Sequence, residues 1–394
     1  MATSCFSTAR SFFSRNRNAC IVALLALRTF FAPAHAASST AGERNYLYVA
    51  SPSLGRQLER GGHGVLVFDI DDNHKFVKRL PAAGLNQQTG LPLSMKGIVA
   101  SAATNRVYVT SMETMFCIDL TTDKLLWEKR YEGGCDRMAI SPDGKIIYLP
   151  TVEKDDWHVV DALSGDVIKK VTVRSGAHNT IFSPTGKRVY LAGLLSPMLN
   201  IADARTHTLV KPIGPFGSVI RPFTINSAET YCFVNVNGLL GFEVGNLRTG
   251  EMMHRVEIPG FQQGPVKRHK CPSHGVALTP DEKEVWVVDA FNQRIHIFDL
   301  TVMTAKVPPK FITSIKLEQD EPGWLTFSID GRYAYPSTGE IIDVKTRKII
   351  GKLVDEENRN VMSEKLMHIV FRDGRPIRTG DQFGIGRATV PAAR

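Results

Sequence analysis

Two histidines and an arginine open three copies of one short phrase in this chain. His178-Asn-Thr-Ile-Phe-Ser-Pro and His274-Gly-Val-Ala-Leu-Thr-Pro each start on an imidazole, and the copy between them starts Arg221-Pro-Phe-Thr-Ile-Asn. Three further copies start at Lys96, Asp136 and Gly323-Trp324. If equivalent positions of a repeat converge, these residues meet. Two imidazoles beside an arginine and a lysine suit proton transfer next to a carboxylate, with the cations neutralising the charge that develops. That chemistry is β-elimination from a uronate, or proton transfer in the opening of a lactone. A second expectation is a divalent metal held by His178 and His274, with His368 as a further ligand. A third is that the polar ring only hydrates a channel and bonds to nearby backbone.

The other polar positions carry paired readings. Asp136 beside Arg137 is either a base with its partner or a structural ion pair. Trp324 either stacks on a sugar through its apolar face or packs the channel. His63, after Gly61-Gly62, and Lys365 or His368 are expected to complete the ring. His74, His207, His254 and His296 fall on outer strands or turns, where packing or surface roles are expected. Glu113 and Asn292 lie in loops expected to open on the same mouth.

What brings these residues together is a repeat. The phrases start at 96, 136, 178, 221, 274 and 323, in steps of 40, 42, 43, 53 and 49 residues. Each runs through a short apolar strand and a turn into a second strand such as Arg106-Val-Tyr-Val or Lys145-Ile-Ile-Tyr. Ser141-Pro-Asp-Gly is a tight turn in which proline presets φ and glycine accepts a positive φ. A period of about 40 residues built of strands and turns is the mark of propeller blades. The units count to seven. The first has Tyr46–Ala50, Gly64–Ile70 and Phe76–Leu80 but lacks an inner strand, and Met367–Phe371 is the candidate to supply it from the other terminus. Closing a ring in this way removes open sheet edges. No helical pattern of useful length is present. The reading is therefore all-β: one seven-bladed propeller over residues 44–375, after a signal peptide at 1–36 and before a C-terminal tail at 376–394, of which 380–394 is expected to be loose.

These phrases, with Tyr108-Val-Thr, resemble the YVTN-repeat, YncE-like family of secreted bacterial seven-bladed propellers, over about residues 45–375. The resemblance implies fold more than function, because relatives of that family include lactonases, polysaccharide lyases, dehydrogenase subunits and binding modules.

In such a propeller the first residue of each phrase stands at the mouth of the central channel. The loops on that face add Arg56, Arg60, Lys154 and the insertion Gln263–Lys270, which lengthens the 53-residue step. A concavity lined by one sign of charge attracts the other. The expected partner is a small anionic molecule or an acidic glycan, or a protein docked on the basic face. The substrate-binding set is Lys96, Asp136, Arg137, Trp324, His63 and His368, and the catalytic set is His178, His274 and Arg221.

Composition bounds the rest. Arg10, Arg15 and Arg17 precede the apolar stretch Cys20–Leu27 and the small-x-small site Ala34-His35-Ala36, which reads as an export signal to a secreted or periplasmic location. Cleavage there lowers the formal charge from +9 to +5, with no long basic run, so nucleic-acid binding is not expected. No run of 18 apolar residues exists to span a membrane. Cys117, Cys135, Cys232 and Cys271 have no metal-ligand spacing; Cys117 and Cys232 read as small core residues, and a Cys135–Cys271 disulfide is an open alternative. Nucleophile elbows, Walker loops, GxGxxG after a strand and CxxCH sites are absent. Two function classes stay open: a carbon–oxygen lyase or lactone hydrolase on an acidic sugar, and a non-catalytic binding or scaffold propeller.

Overall fold

A computed structural model describes residues 42–53, 57–80, 83–267 and 269–388. The expected signal peptide and the last six residues lie outside them, as do Arg56 and Arg268. The described chain is all-β, with a single turn of 3-10 helix at Leu58–Arg60. Its strands form seven antiparallel sheets, six of four strands and one of five.

In the second to seventh blades each sheet is one contiguous stretch, ordered from the axis outward. The second blade shows the pattern, with Met95–Ser101 innermost, then Arg106–Ser111, Thr114–Asp119 and Leu125–Arg130. Local chemistry fixes the turns. Ser141 Oγ contacts Asp143 and accepts from the Ile146 amide, while Gly144 sits at φ 72°. A Cβ at Gly144 would lie 2.1 Å from Ser101 Oγ of the second blade, so only glycine allows the two blades to meet there. The turns between outer strands are tied by aspartates; Asp161 Oδ1, for example, accepts from the Leu163 and Ser164 amides. Between the sheets lie apolar layers, with Trp157, Trp286, Tyr108 and Phe116 fully buried.

The first blade is the composite that the sequence leads one to expect. Its second strand, Glu43–Ser51, pairs with Leu366–Arg372 from the far end of the chain, with Leu47 opposite His368. The chain then turns at Asp373-Gly374 and adds a fifth strand, Arg375–Thr379, on the axis side. From there residues 380–388 cross the channel, and this corrects the expectation of a loose tail. Gln382 Nε2 donates to Met138 O at 3.2 Å, and its Oε1 accepts from the Ile98 amide at 3.3 Å. Gly384 O accepts from Thr224 Oγ1 and the Leu278 amide, and the Gly386 amide donates to Ile225 O. The tail therefore bonds to inner strands of several blades and stoppers the channel below its mouth.

Candidate functional site

The inner strands do not run regularly into the mouth. Met95 faces Ser111 and Gly97 faces Thr110, which leaves Lys96 as an extra residue. Ala177 faces Gly193 and Asn179 faces Ala192, which leaves His178 extra. Register also slips between Ile220 and Phe223, across Arg221 and Pro222. A bulge re-aims the side chain of its extra residue, and Pro222, with no N–H to give a ladder, is tolerated at such a break. Three of the phrase-opening residues thus owe their positions to the same local irregularity.

One contact set joins the second, third and fourth blades. His178 Nδ1 lies 2.6 Å from Asp136 Oδ2, and Lys96 Nζ lies 3.9 Å from Asp136 Oδ1. Asp136 Oδ1 also accepts from the Arg137 amide. Burial pushes the Asp136 carboxyl upward, but His178, Lys96 and Arg137 outweigh it and hold it below its ordinary value. Burial also pulls His178 down, against the pull of Asp136. A neutral imidazole facing a carboxylate must donate from Nδ1, so Nε2 keeps its lone pair. His178 leaves 11% of its side chain exposed and Lys96 24%, whereas Asp136 leaves 1%. The aspartate is enclosed, while the histidine and the lysine each keep part of the side chain exposed.

A second set lies alongside. Arg137 pairs with Glu364, and Lys365 Nζ is 3.0 Å from the same carboxylate. The Arg137 guanidinium stacks 3.7 Å over the Trp324 ring. Burial, with Arg137 adding to it, pulls the Lys365 ammonium down to about 7, against the attraction of Glu364. Trp324 donates to Gln382 O and meets Phe383 edge-on, so the stopper forms the floor beneath Arg137.

His274 belongs to a third set, with its ring 6.2 Å from Trp324 and 4.9 Å from His269. Its Nδ1 lies 2.9 Å from Gly323 O. Arg221 is held by its Nε to Asn237 Oδ1 at 2.7 Å.

The structure thus gathers Lys96, Asp136 and His178, and separates several residues from the expected roles. Trp324 is buried under Arg137 and against Phe383, which leaves no face for a sugar. Arg137 is buried and committed to Glu364 and Trp324, so it serves the architecture rather than a ligand. His63 bonds to Ala83 O, away from the hub. His368 sits three residues further down its strand than Lys365, bonded to Asn45 and to the amide of Ile329 in a turn of the opposite face. Burial pulls it down to about 3, so it is neutral. Among the described residues no group of three His, Cys, Asp or Glu is placed to hold a metal ion, and the pair His178–His274 is split between two contact sets. The four cysteines from Cys117 onward are free and buried. Of the basic loops, Lys267 is neutralised by Asp320 at 2.9 Å.

Sequence reasoning missed Glu364 and Gln382. Glu364 stood next to Lys365 just ahead of the closing strand, a signal that could have been read. Gln382 lay in a Gly- and Arg-containing stretch with no strand pattern, and nothing local marks it. The Asp136–His178 bond was also missed, since the two are 42 residues apart and only the step of the repeat relates them.

No protein-family model matches the chain, and no curated protein matches it. Among solved structures the chain is similar to one titled "Kuenenia stuttgartiensis Hydrazine Synthase", at 16% identity and a TM-score of 0.44, over 69% of this chain and 100% of that one. That likeness is too slight to bear on chemistry. Membership of the YVTN-repeat family is not shown; the seven-bladed propeller stands on its own sheets.

Proposed function

We infer that this protein is an exported propeller enzyme that acts on an acidic, carbohydrate-like substrate at the channel mouth. The reaction is proton abstraction leading to carbon–oxygen bond cleavage, or the opening of a lactone. The observation that carries this reading is the bond between Asp136 and His178. It leaves Nε2 of a neutral imidazole as the proton acceptor, in a cup whose base is stoppered. In the elimination, His178 takes the proton beside the substrate carboxylate, the electron pair forms the new double bond, and the β-oxygen leaves with the rest of the glycan. Lys96 and Arg221 supply the positive charge that holds the carboxylate and stabilises the enolate. His274, set apart beside His269, enters this step as the imidazolium and gives its proton to the leaving oxygen, so that one proton is taken and one returned.

Purified protein is incubated with uronate oligosaccharides and with sugar lactones, and ultraviolet absorbance or lactone loss is followed. Replacing His178 and His274 together by alanine is expected to abolish turnover with the circular dichroism spectrum intact. Unchanged turnover removes the reading.

A second reading is favoured by one observation: Arg137, Glu364, Lys365 and Trp324 spend their chemistry on one another. A hub so occupied also suits a binding propeller that holds an anion or a protein without transforming it. Uronate oligosaccharides that bind but are never turned over select this alternative, and equal affinity for neutral oligosaccharides removes the anion from both readings.

A further inference from the structure

A sizeable cavity of the described chain lies away from the mouth. It lies at the other end of the axis, among the inner-strand turns of the second, third and fourth blades and the arch of the C-terminal tail, and has a volume of about 640 Å³. That is the size of a small-molecule site. Its walls are mainly apolar, with Val99, Ile140, Ile181, Phe182, Ile377 and Phe383 among them.

The polar groups on the wall are almost all spent. Ser101 Oγ accepts from the Thr104 amide, Ser141 Oγ is tied to Asp143, and Ser183 Oγ to Thr185. Thr180 Oγ1 accepts from Trp157. Asp381 accepts from the Phe383 and Ile385 amides and pairs with Arg387 at 2.7 Å. Gln382 is used at both ends of its amide by Ile98 and Met138. Arg378 differs. Its Nη2 reaches Glu43, but that one carboxylate also receives Arg372, so two guanidiniums share a single negative charge. Arg378 Nε is buried with no hydrogen-bond partner, and 34% of the side chain stays open.

We propose that this cavity binds an apolar monocarboxylate, its hydrocarbon part among the inner-strand turns and its carboxylate at Arg378. The walls reward the removal of apolar surface from water. The surplus positive charge at one edge selects an anion, and guanidinium is the group best shaped to take a carboxylate. A zwitterion or a cation lacks a counter-charge on this wall, because its one acid, Asp381, is already paired with Arg387. The site is independent of the mouth, from which the stopper separates it.

Isothermal titration of the intact protein with octanoate and with octylamine tests this. Octanoate is expected to bind saturably with one site per chain, and octylamine at least tenfold more weakly. Arg378→Met is expected to weaken octanoate at least tenfold. Ala102→Phe, at a partly exposed rim position, is expected to do the same by filling the entrance, with little effect on folding. His178→Ala should leave octanoate binding unchanged, which separates this site from the mouth. No saturable octanoate binding, equal binding of octylamine, or full affinity in both Arg378→Met and Ala102→Phe overturns the proposal.

Discussion

Lys365 is the residue whose removal tests the buried hub most directly. Its ammonium is pulled from its ordinary value of 10.5 down to about 7 by burial and by Arg137, and Glu364 recovers only part of the loss. In the unfolded chain it titrates near 10.4. Between those values the unfolded chain binds one proton more than the folded one, so the linkage slope makes stability rise with pH. The penalty is fully present below about pH 7 and has gone above about pH 10.5. From about pH 6 to about pH 9.5 the folded and unfolded titrations differ over roughly 2.5 pH units, which at 1.36 kcal/mol per unit is about 3 kcal/mol. Lys365→Met keeps the stem in its apolar surroundings and removes the proton. Urea unfolding of both proteins, followed by fluorescence of the four tryptophans, gives the stability difference at the two pH values. The variant is expected to gain on the wild type by about 3 kcal/mol as pH falls across that range, since other titrating groups cancel in the comparison. A difference that does not move with pH, or that moves the other way, refutes the reasoning about this buried cation.

Asp136→Asn removes the charge that favours imidazolium, so the His178 titration followed by NMR should move further down, and the loss of a charge-assisted bond should cost roughly 1.5–3 kcal/mol; an upward movement contradicts the pairing. Gln382→Ala leaves the Ile98 amide and the Met138 carbonyl without their partner, which at about 1–3 kcal/mol for each buried group predicts a loss of roughly 2–6 kcal/mol in urea unfolding. A loss below about 0.5 kcal/mol, the scale of a neutral surface substitution, would show that the tail does not stopper the channel. The cysteines from Cys117 onward should resist a thiol reagent in the native protein, because burial pushes Cys117, Cys135, Cys232 and Cys271 up to about 12 or beyond, and should all react in guanidinium; two unreactive thiols after unfolding would reveal a disulfide.

Much of the mouth was legible because the repeat is legible. A residue that opens one phrase stands beside the residue that opens the next, so Lys96, Asp136 and His178 could be expected to be neighbours before any coordinates. What each does there was not legible. Trp324 reads equally well as a platform or as packing, and only the guanidinium lying on its face and Phe383 against its edge decide the matter. His368 seemed one step from Lys365, yet three residues along a strand is about 10 Å, enough to carry it towards the opposite face.

By itself the sequence determined the seven blades, their turns and the closure by both termini. These follow from period, alternation and Gly or Pro punctuation, all local signals that survive without a partner in view. The tertiary structure alone decided which carboxylate meets which cation, that the tail fills the channel, and that a cavity of about 640 Å³ lies at the opposite end from the histidines. Those outcomes depend on contacts between residues tens to hundreds of positions apart, Arg137 with Glu364 and Trp324 with Gln382 among them. Such pairs are selected by packing and desolvation at the axis, and leave no local pattern along the chain.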